Sequence, residues 1–192
     1  MSRKIWLFFL CLYVVSVSSC RTTKAPVQYP AYLPEARLTK IEAREMADLA
    51  QEVSVEIGMP VTPEDNLLLY VFIADWRNVP YRYGSVGKRG TDCSGFVMSL
   101  YEEVYGISIG RMSAASLMDK TVPIDRSELK EGDLVFFNIR NRTGGRASHV
   151  GVYLRNDLFV HAATKTGITI SSLTERYYSR TYLGAGRIRE RI

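Results

Sequence analysis

The chain has 192 residues, 46% of them hydrophobic and 11% aromatic, so the material for a sizeable core is present and a disordered, polar chain is excluded. Its formal charge of +5 is mild. Basic residues are not interleaved with aromatics as a nucleic-acid surface needs, so no nucleic-acid partner is expected; the charge suits an anionic polymer or membrane surface.

In chain order, Arg3 and Lys4 supply a positive start, and an apolar run follows from Ile5 to Val17. That run is too short to span a bilayer and reads as an export signal over residues 1–19. Its end, Val17-Ser18-Ser19-Cys20, resembles the lipobox of bacterial lipoproteins, in which the Cys is acylated and becomes the new amino terminus. Each buried CH₂ of such an anchor contributes about 0.8 kcal/mol, so Cys20 is the expected membrane attachment. Losing Arg3 and Lys4 takes the charge from +5 to +3. Of the three cysteines, Cys11 leaves with the signal and Cys20 carries lipid, so Cys93 is the one thiol left and has no intramolecular disulfide partner. Residues 20–37, with Pro26, Pro30 and Pro34, read as a flexible tether, and residues 38–192 as one domain.

Leu38, Ile41, Leu49, Val53 and Ile57 fall near one stripe and predict a helix over 38–57, ended by Gly58 and Pro60. Thr62-Pro63-Glu64-Asp65 predicts a second helix start, with Thr62 as N-cap, running to about Trp76 or Asn78. A third helix is expected from Cys93 to near Gly106. The pattern then changes to strands at 133–138, 148–154, 158–163, 167–172 and 182–189. Helices first and short, turn-linked strands second predict an α+β fold with an antiparallel sheet of about five strands.

Cys93 lies in Gly90-Thr91-Asp92-Cys93-Ser94-Gly95, at a predicted helix start. Free N–H groups and the helix dipole there favour a thiolate and can receive a developing oxyanion. The two histidines, His149 and His161, fall in strands joined at Arg155-Asn156-Asp157. A three-residue loop sets His149 opposite Ala163 and Gly151 opposite His161, so both imidazoles share a face as diagonal neighbours. A two-residue loop would separate them. A thiol attacking an amide needs a neighbouring imidazole to take and return its proton, and that base needs a third polar group to fix its tautomer.

Together, Tyr81-Arg82-Tyr83-Gly84, Thr91-Asp92-Cys93-Ser94-Gly95-Phe96-Val97, Gly132-Asp133-Leu134-Val135, Ser148-His149-Val150-Gly151-Val152-Tyr153 and Phe159-Val160-His161-Ala162 resemble the NlpC/p60 cell-wall peptidases, from about Ala74 to the C-terminus. The resemblance is nearest to that family's lipoprotein murein endopeptidases. It implies a papain-like α+β fold with Cys93 as nucleophile, His149 as base and His161 as orienting residue. It also implies that Tyr81 lines the oxyanion and substrate site, that Asp92 and Ser94 bind substrate, and that no metal or organic cofactor takes part. The implied partners are peptidoglycan stem peptides, cut at a D-glutamyl–diaminoacid bond or at the D-alanyl–diaminopimelate crosslink. Arg21 after Cys20, where no Asp stands, favours the periplasmic face of an outer membrane for the anchor, and a monomer is expected. Ile109-Gly110-Arg111-Met112-Ser113 departs from the Pro-Arg-Ser or Pro-Arg-Thr of many relatives, and Arg140 to Arg146 is a basic, glycine-rich loop. Two alternatives stay open: an amidase or acyltransferase on the same fold, and a non-catalytic wall-binding lipoprotein.

Overall fold

The structure, a computed structural model, describes residues 40–140 and 145–189. The expected signal, Cys20 and the tether lie outside the described residues.

Helix α1 (Lys40–Ile57) buries Ala50, Val53 and Ile57, with Leu49 packed beside them. Gly58, at φ 74°, ends it in the left-handed region that glycine adopts without strain. The second helix starts later than predicted: α2 is Leu67–Trp76, capped by Asn66, whose side chain accepts the N–H of Leu69 at 3.3 Å. The reason is tertiary. The Asp65 carboxylate accepts the Thr62 N–H at 2.7 Å and pairs with Arg155 from a distant hairpin. This clasp closes residues 62–65 as a separate turn. α2 is buried on nearly every side, from Leu69 to Ala74 and at Trp76, as a central helix must be.

α3 (Cys93–Tyr105) begins and ends where predicted. Asp92 caps its start, and Gly106 at φ 67° closes it, with the Ile107 N–H returning to the Tyr101 carbonyl at 3.0 Å. Phe96, Val97 and Leu100 are fully buried between α2 and the sheet. Phe96 meets Phe72 and Trp76 at ring separations of 5.9 and 5.7 Å.

The remaining elements are α4 (Ala114–Lys120), β1 (Val122–Ile124), a 3₁₀ turn at Arg126–Glu128, β2 (Leu134–Phe137), β3 (His149–Tyr153), β4 (Leu158–Ala163), β5 (Gly167–Ser172), α5 (Arg176–Thr181) and β6 (Tyr182–Arg187). The strands form an antiparallel sheet in the order β1-β6-β2-β3-β4-β5. The class is α+β, as expected, with one strand more than anticipated. β1 has three residues, one of them Pro123, and no pattern of that length signals a strand; as the sheet's edge it tolerates proline. Leu134, Phe136, Val150, Val152, Val160 and Ala162 belong to the core formed with the helices. Val135, Phe137, Phe159 and Ala185 alternate with them and form a second cluster with Leu173 and Tyr178.

The β3–β4 turn has the three-residue loop predicted. Leu154 donates to the Leu158 carbonyl and Leu158 to that of Arg155, each at 2.8 Å. Asn156 and Asp157 take positive φ of 50° and 61°, a region these residue types tolerate. The pairs Val152↔Val160 and Tyr153↔Phe159 set the register on which both imidazoles share a face.

Candidate active site

The segment from Pro80 to Asp92 folds back on itself before α3. Thr91 donates to the Pro80 carbonyl at 3.1 Å, Arg82 to that of Thr91 at 2.9 Å, and Asp92 to that of Ser85 at 3.1 Å. Gly95 permits this: a Cβ there would lie 2.5 Å from the Ser85 carbonyl oxygen. The result brings Tyr81 beside the start of α3.

Asp92 is 5% exposed and its carboxylate is fully engaged. One oxygen accepts the Gly95 N–H at 2.8 Å and the Ser94 hydroxyl at 3.2 Å. The other accepts the Gly84 N–H at 2.8 Å and pairs with Arg111, whose guanidinium also reaches the Ser94 hydroxyl. Both side chains therefore stand within one polar network that fixes the helix start.

Cys93 is 9% exposed and borders a cleft of about 350 Å³ lined also by Tyr81, Tyr83, Arg111, Arg140 and Ser148. The backbone N–H groups of Val150, Ser94 and Cys93 favour the thiolate. Burial, with the nearby Asp92 carboxylate, outweighs them and pushes the thiol up from its ordinary value. Position at a helix start alone predicted the opposite direction, because it says nothing of burial. Burial and the facing sulfur also push the Tyr81 hydroxyl up.

His149, 4% exposed, and His161, 1% exposed, lie together: Nε2 of His149 is 2.9 Å from Nδ1 of His161, with the rings crossed at 89°. Burial, then the charge of Arg140, lowers His149 to about 4. His161 is also lowered, by burial and by His149. Both rings are therefore neutral near pH 7. The close approach needs Gly151, where a Cβ would meet the Phe159 ring at 2.6 Å and the Val160 carbonyl oxygen at 2.9 Å. Beyond the rings, His161 Nε2 lies 3.1 Å from both the Ser171 and the Tyr178 hydroxyls.

The structure thus joins Cys93, Tyr81, Asp92 and Ser94 around one cleft, and pairs His149 with His161 on the strands beside it. Val150, one of the backbone groups that favour the thiolate, is the residue after His149. Sequence reasoning reached Arg111 and Arg140 only as members of the 109–113 segment and the basic loop, and did not single out Ser171 or Tyr178. The β4–β5 register offered a signal for Ser171, diagonal to His161; nothing in the pattern marked Tyr178. Among the described residues, no group of three His, Cys, Asp or Glu side chains is arranged to hold a metal ion.

The pattern of the NlpC/P60 family matches residues 78–187, more than half of the chain. A probable endopeptidase NlpC homolog of Haemophilus influenzae is 46% identical over 114 residues, 59% of this chain and 58% of that one. The murein DD-endopeptidase MepS/murein LD-carboxypeptidase of Escherichia coli K12 is 42% identical over 118 residues, 62% of this chain and 60% of its own length. The match therefore spans about three fifths of each relative. A crystal structure of an NLP/P60-family protein similar to lipoproteins, from Staphylococcus aureus, superposes with a TM-score of 0.58 at 29% identity, covering 66% of this chain and 42% of that one. With the sequence match extending from just before Tyr81 to the end of β6, the chain belongs to the NlpC/P60 family.

Proposed function

We propose that this protein is a peptidoglycan endopeptidase that hydrolyses stem-peptide or crosslink amides through a Cys93 acyl-enzyme. The observation that carries the reading is a cleft-lining sulfur at the start of a helix that packs on the two strands holding a buried imidazole pair. The endopeptidase names of relatives at 42–46% identity agree with it.

In the mechanism, His149 takes the thiol proton as the sulfur bonds to the amide carbonyl carbon. The lowered value of His149 leaves its lone pair free at neutral pH, so thiol and base meet uncharged and ionise together. The oxyanion faces the N–H groups at the start of α3, with the Tyr81 hydroxyl at the cleft wall. When the carbon–nitrogen bond breaks, His149 protonates the leaving amine. Water then gives a proton to His149 and its oxygen to the thioester, releasing a carboxylate and restoring the thiol. His161 holds the His149 ring. Asp92 and Ser94 keep the helix start in place, and with Arg111 form the polar wall along which the peptide lies.

The test is mass spectrometry of muropeptides from purified sacculi treated with wild type or Cys93→Ala. New amino and carboxyl ends made by wild type alone, with the variant slower by at least ~10³-fold, are expected. Equal inertness of both would favour the non-catalytic reading, and products without new amino groups the acyltransferase one. Lipid attachment at Cys20, and with it a place outside the cytoplasm, belongs to the same proposal. Labelled palmitate that is still incorporated after Cys20→Ala would sink that part.

A further inference from the structure

Nε2 of His149 is occupied by its contact with Nδ1 of His161, 2.9 Å away. Only Nδ1 of His149 remains to act as a base. For Nδ1 to be bare in a neutral ring, the ring proton must sit on Nε2 and be donated to His161, whose Nδ1 must then be bare as well. The proton of His161 is thereby forced onto its Nε2, and that N–H needs an acceptor in a site almost closed to water. The opposite arrangement places a proton on Nδ1 of His149, where it blocks the base. One choice of proton direction behind His161 thus decides whether His149 can work.

Two hydroxyls stand at that point. Ser171 Oγ and Tyr178 Oη are each 3.1 Å from His161 Nε2. Ser171 arrives from β5, because the register pairs Phe159 with Ser171 and His161 with Thr169, making serine and imidazole diagonal neighbours on one face. Tyr178 arrives from α5, its ring set edge-on to His161 at 5.3 Å and to Phe159 at 4.9 Å, while Phe159 stacks on His161 at 4.9 Å. Each hydroxyl oxygen carries lone pairs with which it can accept the imidazole N–H. Neither residue lines the cleft that holds Cys93.

We propose that Ser171 and Tyr178 are positioning residues that accept the His161 Nε2–H, fix the tautomers of both histidines and so keep Nδ1 of His149 free as the base. The proposal rests on the reading of His149 as that base. Since both hydroxyls act through His161 and stand away from the cleft, their loss lowers kcat and leaves KM nearly unchanged.

The chain contains two histidines, so nitrogen-15 spectra of the labelled full chain resolve both imidazoles without crowding. In the wild type, His149 and His161 are each expected to carry the proton on Nε2. The Ser171→Ala/Tyr178→Phe double variant keeps the tyrosine ring packing. It should show mixed tautomers, kcat lower by roughly 10- to 100-fold, a part of what general acid–base catalysis supplies, and an acid limb of the rate profile moved to lower pH. Ser171→Thr in the Tyr178→Phe background should restore most of the rate, since it returns one hydroxyl. A wild-type spectrum with the His161 proton on Nδ1 overturns the proposal, whether or not any variant folds. So does a double variant with wild-type kcat and tautomers. Nε2–H tautomers in a chain that cleaves no wall peptide would instead sink the peptidase reading and leave the hydrogen-bonded relay standing.

Discussion

Cys93 and His149 are both held uncharged by their surroundings, the sulfur pushed up by burial and the imidazole lowered to about 4 by the same cause. The imidazole leaves a signature in stability. His149 titrates near 4 when folded and near 6.5 when unfolded, so between those values the unfolded chain binds more protons. Stability is therefore full above about pH 6.5, declines as pH falls toward about 4 and levels off below. His161 is shifted in the same direction and steepens the decline. The thermal unfolding midpoint is expected to drop between pH 7 and pH 4.5, and to drop less in a His149→Gln/His161→Gln variant. A parallel dependence in the two proteins would show that the histidines are not the cause. That Cys93 opens a helix and that His149 and His161 meet on one face was legible in the sequence, from the helix start and the hairpin register. The direction in which the thiol shifts was not, since it is set by side chains packed over the helix start from other elements.

At the scale of elements, what was legible is what depends on neighbours in sequence. The β3–β4 register follows from a three-residue loop and a period of two, and the bounds of α3 follow from the Asp92 cap and Gly106. The start of α2 was misread because Asp65 answers to Arg155, ninety residues away. β1, α4 and α5 have three, seven and six residues, too few to display a period. Gly151 offers a test at this scale. In Gly151→Ala the added methyl would overlap Phe159 and the Val160 carbonyl, so β3 and β4 must part just where the two rings meet. A loss of about 1–3 kcal/mol is expected, the usual cost of overpacking, together with a fall in kcat. Chemical denaturation and muropeptide kinetics check it; unaltered values for both would mean that the strands have room to spare.

Across the described part of the molecule, the segment that matches the family begins at residue 78, yet the core does not. Leu69, Tyr70, Phe72, Ile73 and Trp76 of α2 are buried before that point, and Phe72 and Trp76 cover Phe96 on the helix that presents Cys93. α1 then packs on α2. Residues 78–192 alone would expose this apolar back, and they are expected to aggregate or to lack a cooperative melt, whereas residues 38–192 melt cooperatively. A cooperative transition in the shorter chain would show that α1 and α2 are accessory. The recessed position of the sulfur has a further consequence, one of endurance. Oxidants and alkylating agents attack thiolates far faster than thiols. On the proposed reading, a cysteine that stays protonated at rest, and surrenders its proton only as it meets an amide, can spend long periods in oxidising surroundings outside the cytoplasm and still be reduced when substrate arrives.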